Sequence, residues 1–152
     1  MKILLSPIGS RGDVQPLVAL GAHLQERGHV VRIAGSPNGS DLAHAYELDH
    51  RSVGFNIKDL LQETEIQIAN PIKLVLFFSK LLNRAVEEQF TELKEHVEWA
   101  DVVISGGVSV AAVSLCELLN KPHRYIVYCP ALVPSSEHPV LYMPFQKLPK
   151  WL

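Results

Sequence analysis

The stretch Ile3-Leu4-Leu5-Ser6-Pro7-Ile8-Gly9-Ser10-Arg11-Gly12-Asp13-Val14-Gln15-Pro16 runs on into Leu17-Val18-Ala19-Leu20-Gly21-Ala22-His23-Leu24, then Arg27-Gly28-His29-Val30-Val31-Arg32-Ile33-Ala34. The apolar run Ile3–Leu5 predicts a strand buried on both faces of a parallel sheet. Gly9 and Gly12 predict a loop with freed backbone angles and room for close approach. Pro16 is expected in the first turn of the following helix, where its missing N–H is harmless. Leu17, Leu20, Gly21 and Leu24 fall on one helical stripe. Gly28 stands where a helix is stopped, and Val30–Ala34 reads as a second strand. The unit is strand, glycine-bearing loop, helix and strand, with one carboxylate, Asp13, at the mouth of the helix. In such sheets ligands sit outside the carboxyl ends of the strands.

Working outward, Gly35–Ser40 is turn chemistry, followed by a helix over about Asp41–Leu48 and a short strand around Arg51–Phe55. Ile57, Leu60, Leu61 and Ile68 predict an amphipathic helix, and a long helix is expected from about Ile72 to Glu98. Val102–Ser105 is a buried strand, Gly106-Gly107 a turn, Val108–Leu119 a helix of small residues, and Tyr125–Tyr128 the last strand. Strands alternating with helices imply a parallel sheet with right-handed crossovers. The expected class is α/β, a Rossmann-like parallel sheet with helices on both faces. Residues 1–130 form the expected domain. Residues 131–152 form a proline-rich tail, since five of the ten prolines lie from Pro130 onward, a composition unsuited to a central strand. The tail offers no closing element, so a fragment or one half of a larger protein is expected.

The 152 residues, 47% hydrophobic and 20% charged, are one domain's worth of ordinary globular chain. Fourteen basic residues against sixteen acidic ones give a net charge of −2 with no basic stripe, so no nucleic-acid partner is expected. Cys116 and Cys129 are too few and too far apart for a zinc or disulfide framework. The seven histidines show neither H-x-H nor H-E-x-x-H spacing, so no metal is expected. The first residues enter a strand without a cationic leader, so a cytoplasmic protein is expected. The apolar run Lys73–Leu82 falls short of the ~20 residues of a spanning helix. A core or pocket helix is the favoured reading of that run, with peripheral membrane docking as the alternative.

The loop from Gly9 to Asp13 keeps several readings. Its glycines are spaced G-x-x-G, unlike the dinucleotide fingerprint, and it lacks the Walker lysine. Asp13 can be a capping acid, favoured by the helix dipole by about 0.3–1 kcal/mol, or a reactive carboxylate. Ser105-Gly106-Gly107 ends a second strand on the same side, so the two glycine turns are expected to face one cleft, with the amides of the helix after Val108 pointing into it. Phe77 and Phe78 read as core or as ligand contacts. Ser6 and Ser10 have no histidine nearby in sequence, which disfavours a hydrolase.

Gly9–Pro16 with the helix after it, and Ala100–Gly107 with Tyr125–Pro130 and Val133-Pro134-Ser135, resemble the amino-terminal half of GT-B glycosyltransferases. The branch is that of sterol glucosyltransferases and of bacterial enzymes acting on macrolide or glycopeptide aglycones. The resemblance is specific in those two blocks and weak over 49–99. It implies an acceptor-binding half of an inverting enzyme that glycosylates a lipophilic hydroxyl, with Asp13 matching the general base. It further implies a cleft lined near the donor by Gly9, Ser10, Arg11, Gly12, Gly106 and Gly107. The acceptor pocket would be walled by Phe77, Phe78, Val108, Pro130 and Val133. The expected co-substrate is a nucleotide-sugar (UDP- or TDP-linked) gripped by a carboxy-terminal domain, with no cofactor on this half. The family's His-x-Gly-rich donor motif is absent, so the 152 residues alone are expected to be inactive. A non-catalytic subunit that docks a separate donor-binding chain, and a dinucleotide-dependent oxidoreductase, are the alternatives.

Overall fold

The computed structural model of the chain describes residues 1–54, the backbone of 71–82, residues 83–128 and Val133. Five parallel strands form one sheet: β1 (Lys2–Ile8), β2 (Val30–Gly35), β3 (Asp49–Ser52), β4 (Val102–Gly107) and β5 (His123–Tyr125). Their order is β3-β2-β1-β4-β5. Helices α1 (Arg11–Glu26), α2 (Ser40–Ala45), α3 (Pro71–Trp99) and α4 (Val110–Leu118) make the crossovers. The α/β expectation therefore holds.

Period-two alternation divides the core between the two faces of the sheet. Ile3, Leu5, Val31 and Ile33 pack with Val14, Leu17 and Val18 of α1. Leu4, Ile8, Ala34 and Val103 pack on the other face with Leu93 and Val97 of α3 and with Ala111, Ala112 and Leu115 of α4. Each fully buried Leu, Ile or Val contributes roughly 1.5–3 kcal/mol. The edge strand β3 is polar. Asp49 there accepts from Arg32 Nε at 2.8 Å and Arg51 Nε at 2.9 Å, and such charges discourage edge-to-edge pairing.

The chain crosses from β1 to β2 to β3 on one side, then returns to place β4 on the other side of β1. The strand order therefore reverses between β1 and β4. The crevice outside their carboxyl ends is the switch point where ligands bind in open α/β sheets.

Several boundaries differ from expectation. α1 begins at Arg11, so Pro16 is its sixth residue and not part of a late first turn; a capped Ser10 starts the helix early, and Pro16 merely withdraws the N–H that would have met the Gly12 carbonyl. α2 ends at Ala45, and β3 covers Asp49–Ser52. β4 continues through both glycines, because Pro7 pairs with Gly106 and Ile8 with Gly107. β5 is His123–Tyr125, in register with Val103–Ser105, and the Tyr-Ile-Val-Tyr run does not form the strand as a whole. After Ile126 N–H reaches the Ser105 carbonyl at 2.9 Å, the chain leaves the ladder and brings the Tyr128 ring over Gly106. The expected helix over Ile57–Ile68, the 130/131 boundary and the proline-rich tail lie outside the described residues.

Candidate functional site

β1 hands the chain to Gly9, whose φ of +148° lies in a region that side chains other than hydrogen avoid. The Gly9 N–H donates to Ser36 Oγ at 2.9 Å, and Ser36 N–H donates to the Pro7 carbonyl at 3.1 Å. The loop is thereby pinned to the end of β2. Ser10 is the N-cap of α1, and Asp13 stands three residues on. Asp13 Oδ2 accepts from Ser10 N–H at 2.7 Å and from Ser10 Oγ–H at 2.8 Å. Its negative charge meets the positive end of the α1 dipole. The capping reading of Asp13 is therefore realised in the geometry.

The second oxygen of the same carboxylate faces β4 and β5. Tyr128 Oη–H donates to Asp13 Oδ1 at 3.0 Å, and Tyr125 Oη–H donates to the Gly107 carbonyl at 2.6 Å. Burial, then the bond to Asp13 and the charge behind it, with a smaller push from Tyr125, raise the Tyr128 phenol well above its usual range. Tyr128 is thus a fixed donor at neutral pH. Gly107, at φ +69°, leaves room beside Asp13: a Cβ there would overlap the Ile8 carbonyl and lie 3.1 Å from Asp13 Cβ and Oδ1. A Cβ on Gly9 would collide with the Asp13 carboxylate. These two glycines leave room for the Asp13 side chain.

Gly12 differs from the sequence-based reading. It sits inside the first turn of α1, and a Cβ on it would meet only Ser10 Oγ, at 3.7 Å. Arg11 points the other way, into a cavity of about 480 Å³ lined also by Ser10, Val14, Asn38, Asp41 and Leu42. Asp13 does not line that cavity. The loop therefore has two sides, a carboxylate side toward Gly106-Gly107 and a cavity side toward α2.

The expectation that α4 offers its amides to the cleft is corrected. Gln89 of α3, 3% exposed, takes the Ala111 N–H on Oε1 at 3.3 Å and donates from Nε2 to the Val108 carbonyl at 3.1 Å. This buried amide caps α4 from another helix. No sequence signal marked Gln89 beyond its position among the apolar residues of α3, and none marked Tyr128 beyond its spacing. Residues three apart point to opposite faces of a strand, so Tyr125 and Tyr128 can both reach the glycine turn only if the strand ends between them.

Among the proposed acceptor-pocket residues, Val108 is 46% exposed at the end of β4, and Val133 is exposed as well. The side chains of Phe77 and Phe78, and all of Pro130, lie outside the described residues. A serine–histidine contact does exist, Ser105 Oγ to His123 Nε2 at 2.8 Å, but Ser105 has no solvent exposure and cannot meet a substrate. Burial raises the Cys116 thiol to about 11 despite the nearby Lys121 charge, so it is not a reactive thiolate. Cys129 lies outside the described residues. Among the described residues, no group of three or more His, Cys, Asp or Glu could hold a metal ion, and no helix is long and apolar enough to cross a membrane.

The chain is similar to known glycosyltransferases. Glycosyltransferase GtfC of Amycolatopsis orientalis is 33% identical over 141 residues, covering 91% of this chain and 34% of that protein. Vancomycin aglycone glucosyltransferase of the same organism is 30% identical over 142 residues, covering 91% and 33% respectively. The chain thus spans about a third of the length of the curated relatives it matches. The glycosyltransferase SsfS6 of Streptomyces sp. SF2575, solved with thymidine diphosphate, superposes with a TM-score of 0.60 at 24% identity, over 82% of this chain and 38% of that one. The latter likeness establishes the fold, a Rossmann-like α/β sheet of the kind found in the amino-terminal half of GT-B glycosyltransferases. Residues 3–119 match the glycosyltransferase family 28 N-terminal domain, and the chain belongs to that family.

Proposed function

We propose that this chain is the acceptor-binding half of an inverting, nucleotide-sugar-dependent glycosyltransferase, with Asp13 as its general base. The observation that carries the reading is the Asp13 carboxylate at the β1/β4 switch point, tied down on one oxygen by Ser10 and oriented on the other. An acceptor hydroxyl is a poor nucleophile until its proton is removed. As its oxygen bonds to the anomeric carbon, the bond from that carbon to the nucleoside diphosphate breaks, and the proton passes to Asp13. The carbon inverts, in a displacement with the oxocarbenium character of carboxylate-assisted glycosidic chemistry.

The second half of the protein would grip the donor, as a UDP- or TDP-sugar. Gly9 and Ser10 would line the cleft near the leaving diphosphate. A lipophilic acceptor is favoured by the exposed Val108 beside the crevice and by the apolar walls Val14 and Leu42 of the neighbouring cavity. Residues 1–130 would be the folded unit. The test is Asp13→Asn in the intact protein that carries this chain. A positioned base contributes about 10²–10⁴-fold, so turnover should fall by that order, and near-normal turnover sinks the role.

A further inference from the structure

We infer that Tyr128 is the positioning residue of this base: its hydroxyl selects the single acceptor site on Asp13 from which a proton can be taken up. The inference rests on the reading of Asp13 as base. An ionised carboxylate offers about four acceptor sites, two on each oxygen. Both sites on Oδ2 are filled by Ser10, through its N–H at 2.7 Å and its hydroxyl at 2.8 Å. One site on Oδ1 is filled by Tyr128 at 3.0 Å. Among the described residues, the one remaining site is also on Oδ1, and that is where a substrate proton would be delivered.

The donor is held firmly. Gly106 leaves the space that the Tyr128 ring occupies, since a Cβ would lie 3.0 Å from ring carbon Cε1 and 3.2 Å from the hydroxyl. Tyr128 follows directly on the β4–β5 ladder, whose last bond is Ile126 N–H to the Ser105 carbonyl at 2.9 Å. Asp13 and its donor are therefore fixed to adjacent parts of one sheet.

The experiment is Tyr128→Phe in the intact protein that carries this chain. There kcat should fall about tenfold with KM within about twofold, since the lost interaction orients the base without binding substrate. Gly106→Ala provides a second route. It keeps the hydroxyl but displaces the ring, and should lower kcat in the same direction.

An unchanged kcat in both variants, or a loss carried by KM alone, in a protein whose Asp13→Asn form is inactive, overturns the role of Tyr128 and leaves the base in place. Normal turnover of Asp13→Asn overturns the base reading and the Tyr128 role with it.

Discussion

Two helices begin beside the β1/β4 switch point, and they are capped in opposite ways. α1 is capped from within: Ser10 and Asp13, three residues apart, satisfy each other at its first turn. α4 is capped from outside, by Gln89 reaching across from α3 to Ala111 and Val108. The local cap leaves its carboxylate half-exposed, with one oxygen turned toward the crevice. The remote cap is buried and neutral. Both satisfy orphan helix amides, yet only the first keeps a charged group with an acceptor site to spare. At the β1/β4 switch point, chemistry can therefore be asked of α1 and not of α4.

The contrast can be broken from either side. The largest structural effect is expected at Gly107→Ala. A Cβ at φ +69°, overlapping the Ile8 carbonyl and pressing on Asp13, should cost about 3 kcal/mol, combining backbone strain with overpacking. Urea unfolding checks it, and a loss below about 1 kcal/mol would mean that the turn relaxes freely.

Gln89→Ala should come next. It strips the external cap and strands the Val108 carbonyl and the Ala111 N–H, at about 2 kcal/mol, given 1–3 kcal/mol per unsatisfied buried group and a long bond to Ala111. Hydrogen exchange should quicken in the first turn of α4 and stay unchanged in the first turn of α1. Equal quickening in both would show that the two caps are one unit.

The smallest expected effect is one of pH. On the α3/α4 side of the sheet, burial holds His96 and His123 below the usual value of 6.5. Arg32 and Arg51 add to this at His96, against an opposing Glu95, and Arg124 adds to it at His123. The unfolded chain takes up these protons at higher pH than the folded chain, so stability should fall as pH drops through 6.5. Urea midpoints at pH 7.5 and 5.5 measure it. A higher midpoint at the lower pH would mean that these imidazoles gain a partner when charged.

The same contrast explains what the sequence could tell. Ile3–Leu5, Val30–Ala34 and Val102–Ser105 announced their strands because a strand buried on both faces must be apolar throughout. Asp13 announced a helix mouth because the dipole favours a carboxylate in the first turn, although Ser10 starts α1 earlier than the turn expected at Pro16. Gln89, Tyr125 and Tyr128 act on residues 18 to 115 positions away, and no local pattern encodes such a meeting. The last strand was misplaced for a related reason. Tyr125-Ile126-Val127-Tyr128 has the composition of a strand, but its partner β4 turns into the two glycines, and the tyrosines are drawn inward to them. The role of Asp13 was ambiguous because a cap and a base require the same residue type at the same place; the cap is realised in the geometry, and the base is the proposed second use of the same carboxylate.

The most direct test of that dual use is Asp13→Asn, measured for stability and turnover on the same preparation. Asparagine can still accept from Ser10, so unfolding should change by less than about 1 kcal/mol. Turnover of the intact protein should fall by about 10²–10⁴-fold, because an amide cannot take the acceptor's proton. A variant that loses stability but keeps its turnover would contradict the account and leave Asp13 as a cap alone.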